Sequence, residues 1–79
     1  MEMVILKGHA ELNGDSFDFK IGPWSQRIGL MVRRSSHLGS IETGAGLWDT
    51  VDKAKAIASE IVQRELGTNC AISWQEAVN

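Results

Sequence analysis

The sequence has one cysteine, one proline, no tyrosine and no long apolar run. Each shortage excludes something. Cys70 alone cannot close an internal disulfide, so stability has to come from a packed core or an oligomer interface, and a reducing cytoplasm is the compartment expected. No stretch approaches the roughly 20 apolar residues of a membrane span, so no membrane association is expected. Met1-Glu2-Met3-Val4-Ile5-Leu6-Lys7 has an acid where a secretory leader is basic, and its apolar run is too short for one. The net charge of −2 works against general attraction to nucleic acid or anionic lipid. No repeat, linker or low-complexity segment divides the 79 residues, so residues 1–79 are expected to form a single α+β domain.

What is present is a clear succession of periodicities. Val4, Leu6, Ala10 and Leu12 alternate with Ile5, Lys7, His9 and Glu11, the period of a half-buried strand. Asn13-Gly14 then supplies the commonest two-residue hairpin turn. Phe17, Phe19 and Ile21 form one face of a second strand, with Ser16, Asp18 and Lys20 on the other. Gly22-Pro23-Trp24-Ser25 is expected to break it, because proline supplies no donor to a ladder. A third strand is predicted over about 26–34, with Ile28, Leu30 and Val32 inward and Met31 and Arg33 outward. Ser40-Ile41-Glu42-Thr43 reads as a weaker strand, and Gly44-Ala45-Gly46 as a flexible bend before the helix.

The strongest signal runs from Asp49 to Gly67. Val51, Ala54, Ile57, Ala58, Ile61, Val62 and Leu66 recur on one helical face. Asp49 or Thr50 is the expected N-cap, and Gly67 the left-handed C-cap. Ile57 and Ile61 are expected to be nearly fully buried. Cys70, Ile72 and Trp74 alternate as a short last strand, Cys70 in the core, with Gln75 to Asn79 unassigned. The predicted fold is therefore an antiparallel β-meander of three to four strands with one amphipathic helix on one face and a short C-terminal strand, in the order β-β-β-(β)-α-β. The spacing Thr50-x-x-x-Ala54-x-x-x-Ala58 leading into the helix is similar to that of small one-helix sheet domains, among them the amino-terminal domains of HicB-type antitoxins. Those are helix-packing positions, so the resemblance implies a fold and carries no functional residue.

No catalytic constellation emerges. Gly44-Ala45-Gly46 lacks the third glycine of a dinucleotide fingerprint and the Lys-Ser/Thr of a P-loop, and Asp49 and Asp52 place negative charge where a phosphate would sit. His9, His37 and Cys70 share no metal-ligand spacing, so neither metal nor cofactor is expected. Ser35, Ser36 and His37 are neighbours in sequence only, which does not assemble a nucleophile and base. Phe17 and Phe19 belong to the helix-facing side and are not displayed for base stacking in the manner of an RNA-binding sheet.

Three tryptophans are many for a chain of this length. Trp74 alternates with Ile72 as a core residue, Trp48 is placed as a hydrophobic staple at the helix start, and Trp24 has no evident internal partner. Tryptophan is enriched at interface hot spots. The function expected is a non-enzymatic interaction or accessory module, cytoplasmic and self-associating as a homodimer, through strand edges or the outer sheet face with Trp24, Ile5 and Met31; an unidentified protein partner is the other possibility. One alternative is a nucleic-acid-associated regulatory or accessory protein using Lys20, Arg27, Arg33 and Arg34. A second is a small-ligand binder in which Trp48 and the glycine bend line a shallow pocket.

Overall fold

The computed structural model describes residues 4–68 and 70–77. Met1–Met3, within the leader reading, and Val78 and Asn79, the end of the unassigned tail, lie outside them. Strands β1 (Leu6–Leu12), β2 (Asp15–Trp24), β3 (Arg27–Ser36) and β4 (Gly39–Trp48) precede helix α1 (Val51–Leu66) and strand β5 (Ser73–Glu76). They form one antiparallel five-stranded sheet in the order β4-β3-β2-β1-β5, with α1 packed against one face. The meander, the single helix and the short final strand are those expected from the sequence.

Asn13-Gly14 makes the first turn as anticipated, with both residues in the left-handed region and Leu12 paired with Asp15. The second turn differs. β2 does not stop at Gly22-Pro23 but continues through Trp24, and Ser25-Gln26 turn the chain with φ of 47° and 67°. Trp24 and Arg27 flank this two-residue turn as a hydrogen-bonded pair, so the next pair, Pro23 with Ile28, is one that exchanges no ladder bonds. The missing proline donor therefore costs this hairpin nothing. Gly44-Ala45-Gly46 also departs from the expected bend. It lies within β4, where the register against β3 shifts between Gly29 and Met31, an irregularity that Gly46 accommodates at φ +108°. β5 begins at Ser73, later than the alternation suggests, and includes Gln75 and Glu76.

Phe17, Phe19, Ile21, Leu30, Val32 and Ala10 are buried beneath Ala54, Ala58 and Val62 of the helix. The helix touches the sheet along this line of small residues four apart, which allows a close approach. Ile57 and Ile61 are consequently half-buried at its flank, not in the centre. They border a concavity between α1 and β4, walled by Thr43, Ala45 and Trp48, that leaves them partly open. Cys70 likewise sits half-buried at the margin, its thiol 3.6 Å from the Glu11 carbonyl. The helix ends as expected. The Thr50 hydroxyl accepts from the Lys53 N–H at 3.1 Å, and Gly67, at φ 72°, donates to the Gln63 carbonyl. Asp49 is not the cap; it pairs with Arg27 at 2.9 Å. No described helix is long and apolar enough to cross a membrane.

Candidate functional site

The face opposite the helix is open, and its character changes along the strands. Toward the β1–β2 turn it is a charged ladder. Glu42, Arg33, Asp18 and His9 stand side by side on adjacent strands. Arg33 lies 3.6 Å from Glu42, and His9 Nδ1 lies 2.7 Å from Asp18 Oδ1 and its Nε2 3.4 Å from Glu11. The hydrogen bond to Asp18, opposed by desolvation and aided by Glu11, raises the His9 pKa above its ordinary 6.5. These charges satisfy one another and leave no convergent acid–base pair.

Toward the Ser25-Gln26 turn the same face is bare and apolar. Gly22 and Gly29 are directly paired across β2 and β3, and Gly44 faces Met31 across β3 and β4. Where side chains are missing on neighbouring strands, the backbone is left open to close approach. The result is a trough of about 630 Å³ whose walls include Trp24, Met31 and Leu47, with Val4 and Lys20 also contributing. Trp24 stands beside Gly29, where an added Cβ would come to 3.3 Å of the Trp24 Cβ. Over half of Trp24 remains in solvent, at 53% exposure. Ile5, at the start of β1, is exposed as well.

A second concavity of about 460 Å³ opens on the helix side, between α1 and β4, lined by Trp48, Thr43, Ile57, Ile61, Glu60 and Arg64 among others. Trp48 packs against the core with its ring over Gly46, and its buried indole N–H has no partner among the described residues. The glycines and Trp48, expected to line one pocket, are thus divided: Gly46 belongs to the outer trough, Trp48 to the helix-side concavity, and Gly44 to the rim of both.

Of the interaction candidates, Trp24 and Met31 meet in the trough, and Ile5 lies on the same face beyond its lining. The basic candidates do not converge. Lys20 and Arg33 are on the open face, Arg34 on the helix side, and Arg27 at a turn. Arg34 reaches over the Phe17 ring at 5.5 Å and lies 3.7 Å from Glu65, so it closes the end of the core. Arg27 and Arg33 are likewise each matched by a carboxylate. His37 is exposed in the β3–β4 turn, and no cluster of three or more His, Cys, Asp or Glu suited to a metal occurs among the described residues.

Two features were missed by sequence reasoning. The Gly22–Gly29 pair depends on register, which glycine spacing along the chain does not reveal. Leu38 and Ile41 are 86% and 72% exposed. Both were visible as apolar residues on either side of Gly39-Ser40, but the weaker-strand reading assigned Ile41 no facing, and the helix does not cover it. No family model, no curated protein and no solved structure matches the chain.

Proposed function

We propose that this protein is a non-enzymatic interaction module whose working surface is the Trp24 trough on the open face of the sheet. The observation that carries the reading is Trp24 itself: a large aromatic, half in solvent, held at the wall of an apolar concavity floored by paired glycines. Burying such a ring against a partner is the usual anchor of a protein interface. Lys20 is the trough's one titratable lining residue among those described, so the surface offers no acid and base at a common reacting atom. A second copy of the chain is the favoured first partner, because three further large apolar residues, Leu38, Ile41 and Leu47, are exposed on or beside β4. The single half-buried thiol suits a reducing compartment, which supports a cytoplasmic location.

The trough's volume also falls in the range of small-molecule sites, roughly 300–1,000 Å³, which supports a small apolar ligand as the second reading. Nucleic-acid association has less behind it, since Arg27, Arg33 and Arg34 each face a carboxylate and share no surface.

The test uses anilinonaphthalene sulfonate, an apolar fluorescent probe, at about 0.1 µM protein, a concentration at which a dimer with a micromolar Kd is mostly dissociated. Trp24→Ala is expected to weaken probe binding about tenfold, or roughly 1.4 kcal/mol, while Ile61→Ala, in the other concavity, leaves it unchanged. Equal binding by wild type and Trp24→Ala, or loss on Ile61→Ala alone, overturns the reading.

A further inference from the structure

β4 is an edge strand ten residues long, and its hydrogen-bonding groups can be assigned from the turns. Trp24 and Arg27 exchange bonds across their two-residue turn, so Ile28, Leu30, Val32, Arg34 and Ser36 of β3 direct their backbone groups toward β4. Their partners Gly39, Ile41 and Thr43 are thereby bonded inward. Ser40, Glu42 and Gly44 are left with N–H and C=O pointing away from the sheet. Edges are ordinarily guarded by lysine, proline or inward-pointing charge. Between Gly39 and Gly44 this edge carries one charge, Glu42, and neither lysine nor proline. It presents Ile41 at 72% exposure, beside Leu38 at 86%. Only beyond Gly44 does the bulge interrupt it.

We propose that β4 pairs antiparallel with β4 of a second copy about a two-fold axis at Ile41, bringing Leu38 of each copy to the Trp24 trough of the other. This rests on the interaction-module reading. A two-fold axis perpendicular to a continuous sheet must pass through a residue, since facing side chains have to emerge on the same side. Placed at Glu42 it sets that carboxylate against its own copy, a direct like-charge contact. Placed at Thr43 it carries Ile41 onto Ala45, where the bulge has broken the register. Placed at Ile41 it sets Ile41 against itself, Ser40 against Glu42, Gly39 against Thr43 and Leu38 against Gly44. The Ser40 and Glu42 pairs then use the free backbone groups, and the serine hydroxyl can donate to the carboxylate. Pairing ends at Gly44, where the regular edge ends. Gly44 lines the trough and has no side chain, so Leu38 of the second copy arrives at the trough's open side. The contact is isologous and closes at two copies.

Sedimentation equilibrium of the full chain at on the order of 100 µM tests it, a concentration suited to an edge contact of modest area. The mass is expected to approach twice the 8.7 kDa of one chain. Ile41→Lys, at an exposed position, is expected to return it to one chain with an unchanged circular dichroism spectrum. The register is tested in a Cys70→Ser background under copper–phenanthroline oxidation. Ile41→Cys places two thiols in a non-hydrogen-bonded pair with Cα atoms about 4.5 Å apart, within disulfide reach, and should cross-link. Thr43→Cys leaves its thiols offset by about 13 Å along the strands and should not. A monomeric wild type, or cross-linking of Thr43→Cys as fast as Ile41→Cys, overturns the pairing. Either result leaves the trough reading to the probe experiment, which is run on monomer and can fail independently.

Discussion

Gly8 lies directly beneath the ring of Trp74: a Cβ built on Gly8 would stand 2.6 Å from Trp74 Cζ3 and 3.0 Å from Ile72 Cγ2. β1 and β5 pair at these two residues, and the ring continues toward Phe19 at 6.0 Å between centroids. A bare backbone position in the centre of β1 is thus occupied by an aromatic from the last strand. Gly8→Ala has to displace this ring or the strand beneath it, with an expected cost of about 1–3 kcal/mol. Urea unfolding followed by tryptophan fluorescence checks it, and an unchanged midpoint would show that β5 yields freely.

The helix depends on its two ends. Thr50→Ala removes the acceptor for the Lys53 N–H and is expected to cost about 1 kcal/mol. Gly67→Ala forces a β-carbon into the left-handed region at φ 72°, at about 1–2 kcal/mol. The Cβ itself meets nothing within 4 Å, so the cost is conformational and not a clash. D-alanine incorporated at position 67 by chemical synthesis is expected to restore stability, which a packing defect would not allow.

Beneath the helix, order of sensitivity is the informative measurement. Ala58 is fully buried on the contact line, and Ala58→Leu has no room without lifting the helix. Overpacking of this kind costs roughly 1–3 kcal/mol or more, a large share of the stability of so small a domain. Ile61 is half-buried, so Ile61→Ala should fall near the lower end of the roughly 2–5 kcal/mol range for core isoleucines. Thermal melts in which Ile61→Ala is the more damaging would place the contact line one residue over.

The difference between Ala58 and Ile61 shows what the sequence makes legible. Periodicity locates the amphipathic face of α1, and the cap chemistry of Thr50 and Gly67 fixes its ends, because both are local. Which apolar residue lies at the centre of that face depends on the opposing strands: the line of closest contact runs through Ala54, Ala58 and Val62, while Ile57 and Ile61 border the concavity beside Thr43, Ala45 and Trp48. The hairpin at Asn13-Gly14 was readable for the same local reason. Pro23 misled because its tolerance in a strand depends on the phase of the hydrogen-bond ladder, set two residues later at Ser25-Gln26. For the candidate site, Trp24 and Met31 were identifiable as apolar residues without a place, whereas the trough between them arises from glycines that meet only through register.

The charged end of the open face predicts a pH dependence. The folded-state pKa of His9 is raised, chiefly by Asp18, so protonation is favoured in the folded chain relative to the unfolded one. The corresponding stability is fully present below the unfolded value of 6.5 and is lost as pH rises through the folded value. His9 is about half exposed, which keeps the effect small through solvent screening. Wild type is therefore expected to be slightly more stable at about pH 5.5 than at about pH 8, relative to His9→Gln measured at the same two values. A histidine Cε1 proton titration with its midpoint at or below 6.5 would remove the basis for this difference.

The arginines give the last prediction. Arg27, Arg33 and Arg34 are matched by Asp49, Glu42 and Glu65, and they point to a turn, the open face and the helix side. Phosphate binding by a surface requires several unmatched cations converging on one backbone, and its strength falls steeply with salt because counterions are released. This arrangement is expected to give no binding to single- or double-stranded oligonucleotides at physiological salt, by fluorescence anisotropy. Lowering the salt should produce at most a weak response. The double substitution Asp49→Asn, Glu42→Gln frees Arg27 and Arg33 together and should increase that low-salt response. Wild-type binding with a steep salt slope, lost on Arg33→Ala and Arg27→Ala, would instead make these arginines the functional surface and displace the Trp24 trough from that role.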